Sequence, residues 1–285
     1  MTEPVSVDET ANWVAMYRAL ESERPDALFK DPFARRLAGP RGEEIMRKLK
    51  SSRTYAWPMV VRTKVMDEII ERLVAQGVDL VLNLAAGLDA RPYRLNLPPG
   101  LRWVEVDFPK TIDSKSAALA DAKPVCRLER RGLDLADVAA RRAFLSSLGA
   151  GARNALVITE GLLVYLSAED VGQLADDLAA VPWFAWWLTD LASPFILKMM
   201  QRSWGKSVAA GRAPFRFAPE GGADFFSPHG WRFVEYHSLW VEGHRLHREG
   251  SMGWLWRLLF RRMWRDELNR RSGPMSGVVL LKRAG

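Results

Sequence analysis

Residues 79–95 read DLVLNLAAGLDARPYRL, and this stretch decides how the rest of the chain is parsed. With Val78 in front, its first half is a short apolar run through Leu84 that stops at three small residues, Ala85-Ala86-Gly87. A run of that length closed by glycine is the pattern of a buried strand entering a tight turn. Small side chains leave room for a ligand against the main chain, and Gly87 can take a positive φ without steric cost. The turn is not the G-x-G-x-x-G of dinucleotide sites, so the expected ligand is a nucleoside without a pyrophosphate.

Upstream of this strand the texture is helical. Asp8 can cap a helix running through Leu20, Asp31-Pro32 can start a second, and Val60 to Val74 carries apolar residues at three and four spacing. Downstream, strands expected at 102–107, 125–129, 155–159 and 183–188 alternate with helices at 112–121, 136–148 and 168–180, the last capped by Ser167. Such alternation predicts a parallel sheet with helices on both faces, an α/β fold. Two more strands, 231–239 and 277–282, bring the count to seven, and a last strand at the terminus suits a closing antiparallel edge strand. The chain is read as one domain: an N-terminal helical cap over 1–76, a ligand-binding core over 77–202, and an insertion, late basic helix and closing strands over 203–285. Within the last part, 203–222 is rich in glycine, proline and arginine and reads as an inserted loop.

Composition narrows the class. With 285 residues, 48% hydrophobic and 26% charged, the chain is not disordered, collagenous or a coiled coil. A single cysteine, Cys126, offers neither an intramolecular disulfide nor a thiolate zinc site, which suits a reducing, cytoplasmic setting. The opening MTEPVSVDET lacks the basic start and apolar core of a secretory signal, and the longest apolar candidate, Val181 to Met200, is interrupted by Asp190 and Lys198, so no transmembrane segment is expected. The net charge of +7 is concentrated late, with eight arginines between His244 and Arg271. In 252–265, Met252, Leu255, Trp256, Leu259 and Met263 fall at helical spacing opposite Arg257, Arg261 and Arg265. That segment could be a lid, a membrane-surface helix or a basic helix packed on the sheet, the last being the default.

In an open parallel sheet ligands sit beyond the carboxyl ends of the strands. Four successive ends here offer Gly87, Asp107, Asp134 and Glu160. Asp107 lies 18 residues after Asp89, close to the spacing at which an acid accepts ribose hydroxyls. In Gly132-Leu133-Asp134-Leu135 a carboxylate can take an adenine amino group while a leucine packs on the ring, and Thr159-Glu160-Gly161 places Glu160 over the same crevice. Each acid taken singly could merely cap the next helix. Four in order favour a nucleoside site. The histidines form no H-E-x-x-H or comparable pattern, and no metal is expected. Nine of the twelve tryptophans lie between Trp183 and Trp264; some could line an apolar acceptor pocket, but Trp183, Trp186 and Trp187 are read first as filling a buried strand.

Residues 79–95, with Trp103-Val104-Glu105-Val106-Asp107, Leu133-Asp134-Leu135 and Thr159-Glu160-Gly161-Leu162-Leu163-Val164-Tyr165-Leu166, resemble the leucine carboxyl methyltransferase family. The early stretches Thr10 to Ala19 and Arg24 to Pro32 are similar to its bacterial branch, which looks like the polyketide carboxyl O-methyltransferases. The resemblance implies a Rossmann-like seven-stranded sheet of the class I methyltransferases and S-adenosyl-L-methionine as methyl donor. It further implies that Arg62 holds the methionine carboxylate and that Gly87 approaches the amino acid portion. Asp107 would bind the ribose, Asp134 and Leu135 the adenine, and Glu160 would face the methionine amino group. Ala85 stands where members often have glycine, a small departure at a donor-binding position.

A sulfonium methyl is already activated, so catalysis is chiefly alignment of an oxygen behind the carbon and exclusion of water. A carboxylate acceptor needs no base; a phenol or alcohol would, and the candidates are His229, His237, His244 and His247, with Tyr165 as an orienting group. The expected activity is methyl transfer to a carboxylate or hydroxyl of a small molecule. Two alternatives remain open: a protein carboxyl terminus as acceptor, and an RNA-binding protein or RNA methyltransferase using the basic late segment. Nucleic acid is the weaker partner class, because no RNA module is visible.

Overall fold

The computed structural model describes residues 7–48, 56–148, 152–210, 214–249, 258 and 276–285. Three helices precede the first strand, as the apolar spacing predicts: α1 (Val7–Ser22), α2 (Ala34–Lys48) and α3 (Trp57–Ala75). Asp31 starts α2 by accepting the N–H of Phe33 (3.1 Å), and its other oxygen takes Arg18 Nε from α1 (2.9 Å) in a buried ion pair. α2 is broken at Gly39 (φ 59°), directly before Pro40, which has no N–H for the helical ladder.

Seven strands follow: β1 (Leu80–Leu84), β2 (Arg102–Asp107), β3 (Arg127–Gly132), β4 (Ala155–Thr159), β5 (Phe184–Leu191), β6 (Trp231–Ser238) and β7 (Gly277–Arg283). They form one sheet in the order β3-β2-β1-β4-β5-β7-β6. The first five are parallel, and β7 runs antiparallel to both of its neighbours. Between them lie α4 (Arg91–Arg94), α5 (Pro109–Ala118), α6 (Val138–Ser147), α7 (Ala168–Ala179), α8 (Pro194–Ala210) and α9 (Leu239–Arg245). β1 is buried at every position because both faces of the sheet are covered. On one face, Val61, Val65, Met66, Ile69, Ile70 and Leu73 of α3 meet Val81, Leu156, Ile158, Leu188 and Leu280. On the other, Val171, Leu174 and Leu178 of α7 meet Leu80, Leu82, Val104 and Val157. α7 opens with a capping box in which Ser167 Oγ accepts the Asp170 N–H (3.1 Å) and Asp170 accepts the Ser167 N–H (3.3 Å).

Several expectations are corrected. The closing strand is antiparallel but is not the edge: β7 sits between β5 and β6. Val278, Val279, Leu280 and Leu281 are all buried, as suits an interior strand covered on both faces, whereas β6 exposes Arg232 and Val234 and carries a register shift between Phe233 and Glu235. Residues 203–210 are not loop, because α8 continues through Ala210. β5 runs three residues past the expected Leu188, and β3 lies two to three residues later than expected. The late helix over 252–265 lies outside the described residues apart from Leu258.

Trp187 packs edge-on against Phe226 (5.0 Å) and Trp231 (5.3 Å) and donates Nε1 to Thr159 Oγ1 (2.9 Å), so it fills the core rather than a pocket. Trp186 lies under Lys282 Nζ (4.8 Å). After α9, Arg248 reaches back to the cap, where Nε and Nη2 meet both oxygens of Glu21 (2.9–3.2 Å) and Nη1 meets Asp26 (3.1 Å). Among the described residues no helix is long and apolar enough to cross a membrane.

On edge strand β6, His237 sits between two carboxylates, Nδ1 on Glu242 (3.1 Å) and Nε2 on Glu235 (3.3 Å), and these in turn receive Arg245 and Arg72. The bonds to Glu235 and then Glu242 outweigh burial and raise the imidazole from 6.5 to about 9. Because the folded value lies above the unfolded one, this contribution to stability is complete below pH 6.5 and fades as pH rises to about 9. The melting-temperature gap between wild type and His237→Gln should therefore be widest near pH 6 and narrow steadily to pH 9. A gap that does not change with pH would refute the doubly paired imidazolium.

Candidate functional site

The crevice opens where the strand order reverses, between β1 and β4, the place an open parallel sheet leaves for a ligand. β1 runs into a turn in which Ala85 and Gly87 have positive φ, 52° and 45°. The Ala85 value is the left-handed conformation that glycine adopts freely and that costs a residue with a Cβ on the order of 1 kcal/mol. The turn is held by Ala86 N–H on Val106 O (3.0 Å) and Asp89 N–H on Ala86 O (3.0 Å).

Asp107, at the end of β2, ties three strand ends together. Its Oδ2 accepts the Gly87 N–H (2.7 Å), its Oδ1 accepts the Phe108 N–H (2.7 Å), and its main-chain oxygen accepts the Leu133 N–H (2.8 Å) from beyond β3. Phe108 is 47% exposed, a large aromatic face left on the crevice rim. Sequence reasoning passed over it. The signal available was its place between the strand-end acid Asp107 and the helix-starting Pro109. Asp134 is exposed and accepts the Ala136 N–H (2.9 Å), the capping role weighed against ligand binding, and Leu135 is half-buried beside it against the sheet core.

The far side of the crevice is a buried network of charge. Arg62, near the start of α3, donates Nε to Glu160 Oε1 (3.0 Å) and Nη1 to Asp190 Oδ2 (3.0 Å). Glu160 Oε2 takes Arg91 Nη1 (2.7 Å), which also reaches Asp89 Oδ2 (2.8 Å), while Arg91 Nε meets Asp67 (2.6 Å). Arg94 continues to Asp67 (2.7 and 2.9 Å), and Arg18 and Asp31 close the chain of charges under the cap. Five carboxylates thus face four guanidiniums. Burial alone would push the Glu160 carboxyl up, but Arg91 and Arg62 outweigh it and hold it at about 2. Burial likewise opposes ionisation of Asp89, and Arg91, Lys115, Arg18 and Arg94 hold it below the ordinary carboxylate range. Arg91 Nη2 is buried and has no hydrogen-bond partner among the described residues.

α1 lies across this floor. Ala11 is the nearest neighbour a Cβ at Gly87 would meet (3.6 Å), and Arg18 Nη2 donates to Leu88 O (2.5 Å). Tyr165, in the 3-10 turn Leu163–Tyr165 after β4, is hydrogen-bonded to the Thr10 side chain and feels the charges of Arg62 and Asp190. Burial raises its pKa, so the phenol stays protonated and can donate a hydrogen bond but not act as a base at neutral pH. Its ring packs on Phe215 (5.5 Å), beside Leu197 and Met200 of α8, and Phe195 and Met199 on the same helix are exposed.

The structure therefore brings Arg62, Ala85, Gly87, Asp107, Glu160 and Tyr165 to one crevice, with Asp134 and Leu135 on its β3 side. It does not bring His229 there. That residue ends the 3-10 segment Gly222–His229 just before β6, at the sheet edge opposite the crevice, with Nδ1 on Asp176 (2.8 Å) and its ring against Phe225. His237 is held as a cation by its carboxylates, and His244 Nδ1 is on Glu249 (2.9 Å). Asp190 was read only as an interruption of an apolar run, although it stands at the end of β5 as Asp107 and Glu160 do at theirs. Among the described residues no group of three or more His, Cys, Asp or Glu side chains is gathered to hold a metal ion.

Comparison with known proteins adds findings of three kinds. The model of the leucine carboxyl methyltransferase family matches residues 11–179. A Streptomyces coelicolor protein described as a candidate S-adenosyl-L-methionine-dependent methyltransferase is 38% identical over 185 residues, 59% of this chain and 63% of the relative. A Frankia alni protein with the same description is 34% identical over 194 residues, 63% of this chain and 66% of the relative. The matched part therefore spans a little under two thirds of each relative. Among solved structures, a candidate methyltransferase from Thermobifida fusca superposes with a TM-score of 0.59 at 15% identity, covering 99% of this chain and 96% of that one. A DUF574-family protein from Streptomyces avermitilis superposes at 0.57 and 15%, covering 95% and 96%. These likenesses show a shared fold.

Proposed function

The chain belongs to the leucine carboxyl methyltransferase family, and from that premise we propose that it transfers the methyl group of S-adenosyl-L-methionine to a carboxylate, or less readily a hydroxyl, of a small molecule. The observation that carries this reading is the knot at the crevice mouth, where the Asp107 carboxylate on the Gly87 N–H joins the first two strand ends beside the exposed ring of Phe108.

The residues present fit that donor. The positive φ at Gly87 and Gly161 keeps side chains out of the cradle. Asp107 offers lone pairs to two vicinal hydroxyls, and Phe108 offers a face to a base. A zwitterionic amino acid end repeats the charges of the Arg62–Glu160 pair, so it can lie beside the pair with its carboxylate towards Arg62 and its ammonium towards Glu160. The buried, unpartnered Nη2 of Arg91 in the same network is a polar atom that a ligand could still satisfy. Asp134 and Leu135 would meet the adenine from the β3 side.

Bound there, the donor supplies an electrophilic methyl whose S–C bond breaks as an O–C bond forms, the sulfur keeping the electron pair. The protein's work is then placement and exclusion of water. α1 covers the floor, and the Tyr165 hydroxyl can hold an acceptor oxygen. Phe215, Leu197 and Met200 form an apolar wall beside it, which suits an acceptor with an apolar body. The protonated phenol and the distant His229 supply no base, and this favours a carboxylate, already ionised at neutral pH.

Isothermal titration of the purified protein with S-adenosyl-L-methionine and with its demethylated product tests the donor. Binding in the micromolar range or tighter, about −8 kcal/mol, is expected. Failure of both to bind would remove the reading. Success leads to a screen of carboxylic acids and phenols for methyl acceptance.

A further inference from the structure

The two acids that grip Arg62 are not equivalent. Glu160 divides its oxygens between Arg62 and Arg91 and so belongs to the network that runs down to Asp67 and Asp31. Asp190 stands at its rim. One oxygen takes Arg62 Nη1 at 3.0 Å, and the other takes the Gly161 N–H at 2.6 Å. Gly161 has φ 65°, and a Cβ built on it would lie 3.4 Å from Arg62 Nη1 and 3.6 Å from Nη2. The guanidinium therefore lies along the Gly161 turn, and a single carboxylate fixes both the cation and the backbone beneath it. Side-chain exposure is 19% for Asp190 and 15% for Glu160, so both retain an open side.

We infer that Asp190 is a positioning residue for the methyl donor, holding Arg62 against the Gly161 turn so that the remaining guanidinium N–H groups face the amino acid end of the ligand. This rests on the donor reading above. A guanidinium carries five donors in a fixed fork, and two are already spent on Glu160 and Asp190, so rotation about the side chain is removed before the ligand arrives. Without Asp190 the fork would be held by Glu160 alone, and its carboxylate-binding edge would no longer have one direction.

Asp190→Asn separates this role from simple support. The amide oxygen can still accept the Gly161 N–H, but an amide NH₂ would then face Arg62 donor to donor. The full-length variant is titrated with S-adenosyl-L-homocysteine and with 5′-deoxy-5′-methylthioadenosine, which keeps the nucleoside and lacks the amino acid end. Affinity for the first should fall by about tenfold or more, while affinity for the second should stay within about twofold. In an Arg62→Gln background the same substitution should add less than about twofold, because the partner it orients is gone. Unchanged S-adenosyl-L-homocysteine affinity, equal loss for both ligands, or an undiminished effect in the Arg62→Gln background would each overturn the inference. Asp190→Glu keeps the charge and moves it by one methylene. It should show the same ligand-selective loss in weaker form, and it carries the test if the asparagine variant does not fold. Wild-type protein that binds neither ligand would instead defeat the donor reading itself.

Discussion

Replacing Asp107 by alanine should raise the dissociation constant for S-adenosyl-L-homocysteine by roughly 30-fold or more, about 2–3 kcal/mol, the range for hydrogen bonds to a charged group. The loss should be nearly as large for methylthioadenosine, because both ligands carry the ribose. That pattern is opposite to the one expected at Asp190, and the pair of variants divides the crevice into a nucleoside end and an amino acid end. Asp107 also holds the Gly87 and Phe108 N–H groups, so part of the effect acts through the turn rather than on the ligand directly. Both N–H groups lie at the crevice mouth, where water can take over, so the melting temperature should move little. An affinity within about threefold of wild type would refute the ribose assignment.

Arg91→Leu should have the largest effect on stability. Arg91 is 1% exposed, and its guanidinium bonds Asp67, Asp89 and Glu160. A leucine of comparable bulk would leave those three carboxylates short of a buried partner. Breaking a buried pair from one side costs about 3–5 kcal/mol. In a domain of this size that lowers the melting temperature by roughly 10 °C. Arg24, whose pair with Asp26 is open to solvent, is the internal comparison. Arg24→Ala should cost at most about 1 kcal/mol. If the two variants melt within a degree or two of each other, the buried charges at the floor of the crevice do not hold the fold together.

What could be read from the chain and what could not divide along physical lines. β4 runs from Ala155 to Thr159 and Ser167 caps α7 as the sequence indicates, because an apolar run and a capping box are local patterns. Asp107 and Glu160 were legible for the same reason: an acid directly after an apolar run marks a strand end. Strand order is not local. Val278 to Leu281 announces two covered faces, but nothing in it names β5 and β6 as neighbours, and a terminal position suggested an edge. Asp190 shows the same limit, since its partner Arg62 lies 128 residues earlier and an ion pair at that separation leaves no spacing to detect. His229 was chosen for its side chain alone. Its place at the opposite end of the sheet follows from the direction of β6, which only the folded chain displays. Residues 250–257 and 259–275, which hold most of the late arginines, lie outside the described structure, so that part of the charge pattern carries no structural account.

The reach of Arg248 back to Glu21 sets a timetable for biosynthesis. The two residues are 227 positions apart, and at about 5–20 residues per second the ribosome takes roughly 10–45 s to deliver the second after the first. Arg18 finds Asp31 almost at once and Leu88 somewhat later, so the first helix can settle in stages. Its carboxyl end can take the Leu28 N–H and Arg24 on Glu21 early, but the buried bonds of Glu21 to Arg248 must wait until residue 248 has emerged. The nascent protein therefore passes through a stage in which its sheet is largely made and its roof is only half fastened, and release of a truncated chain would leave it there.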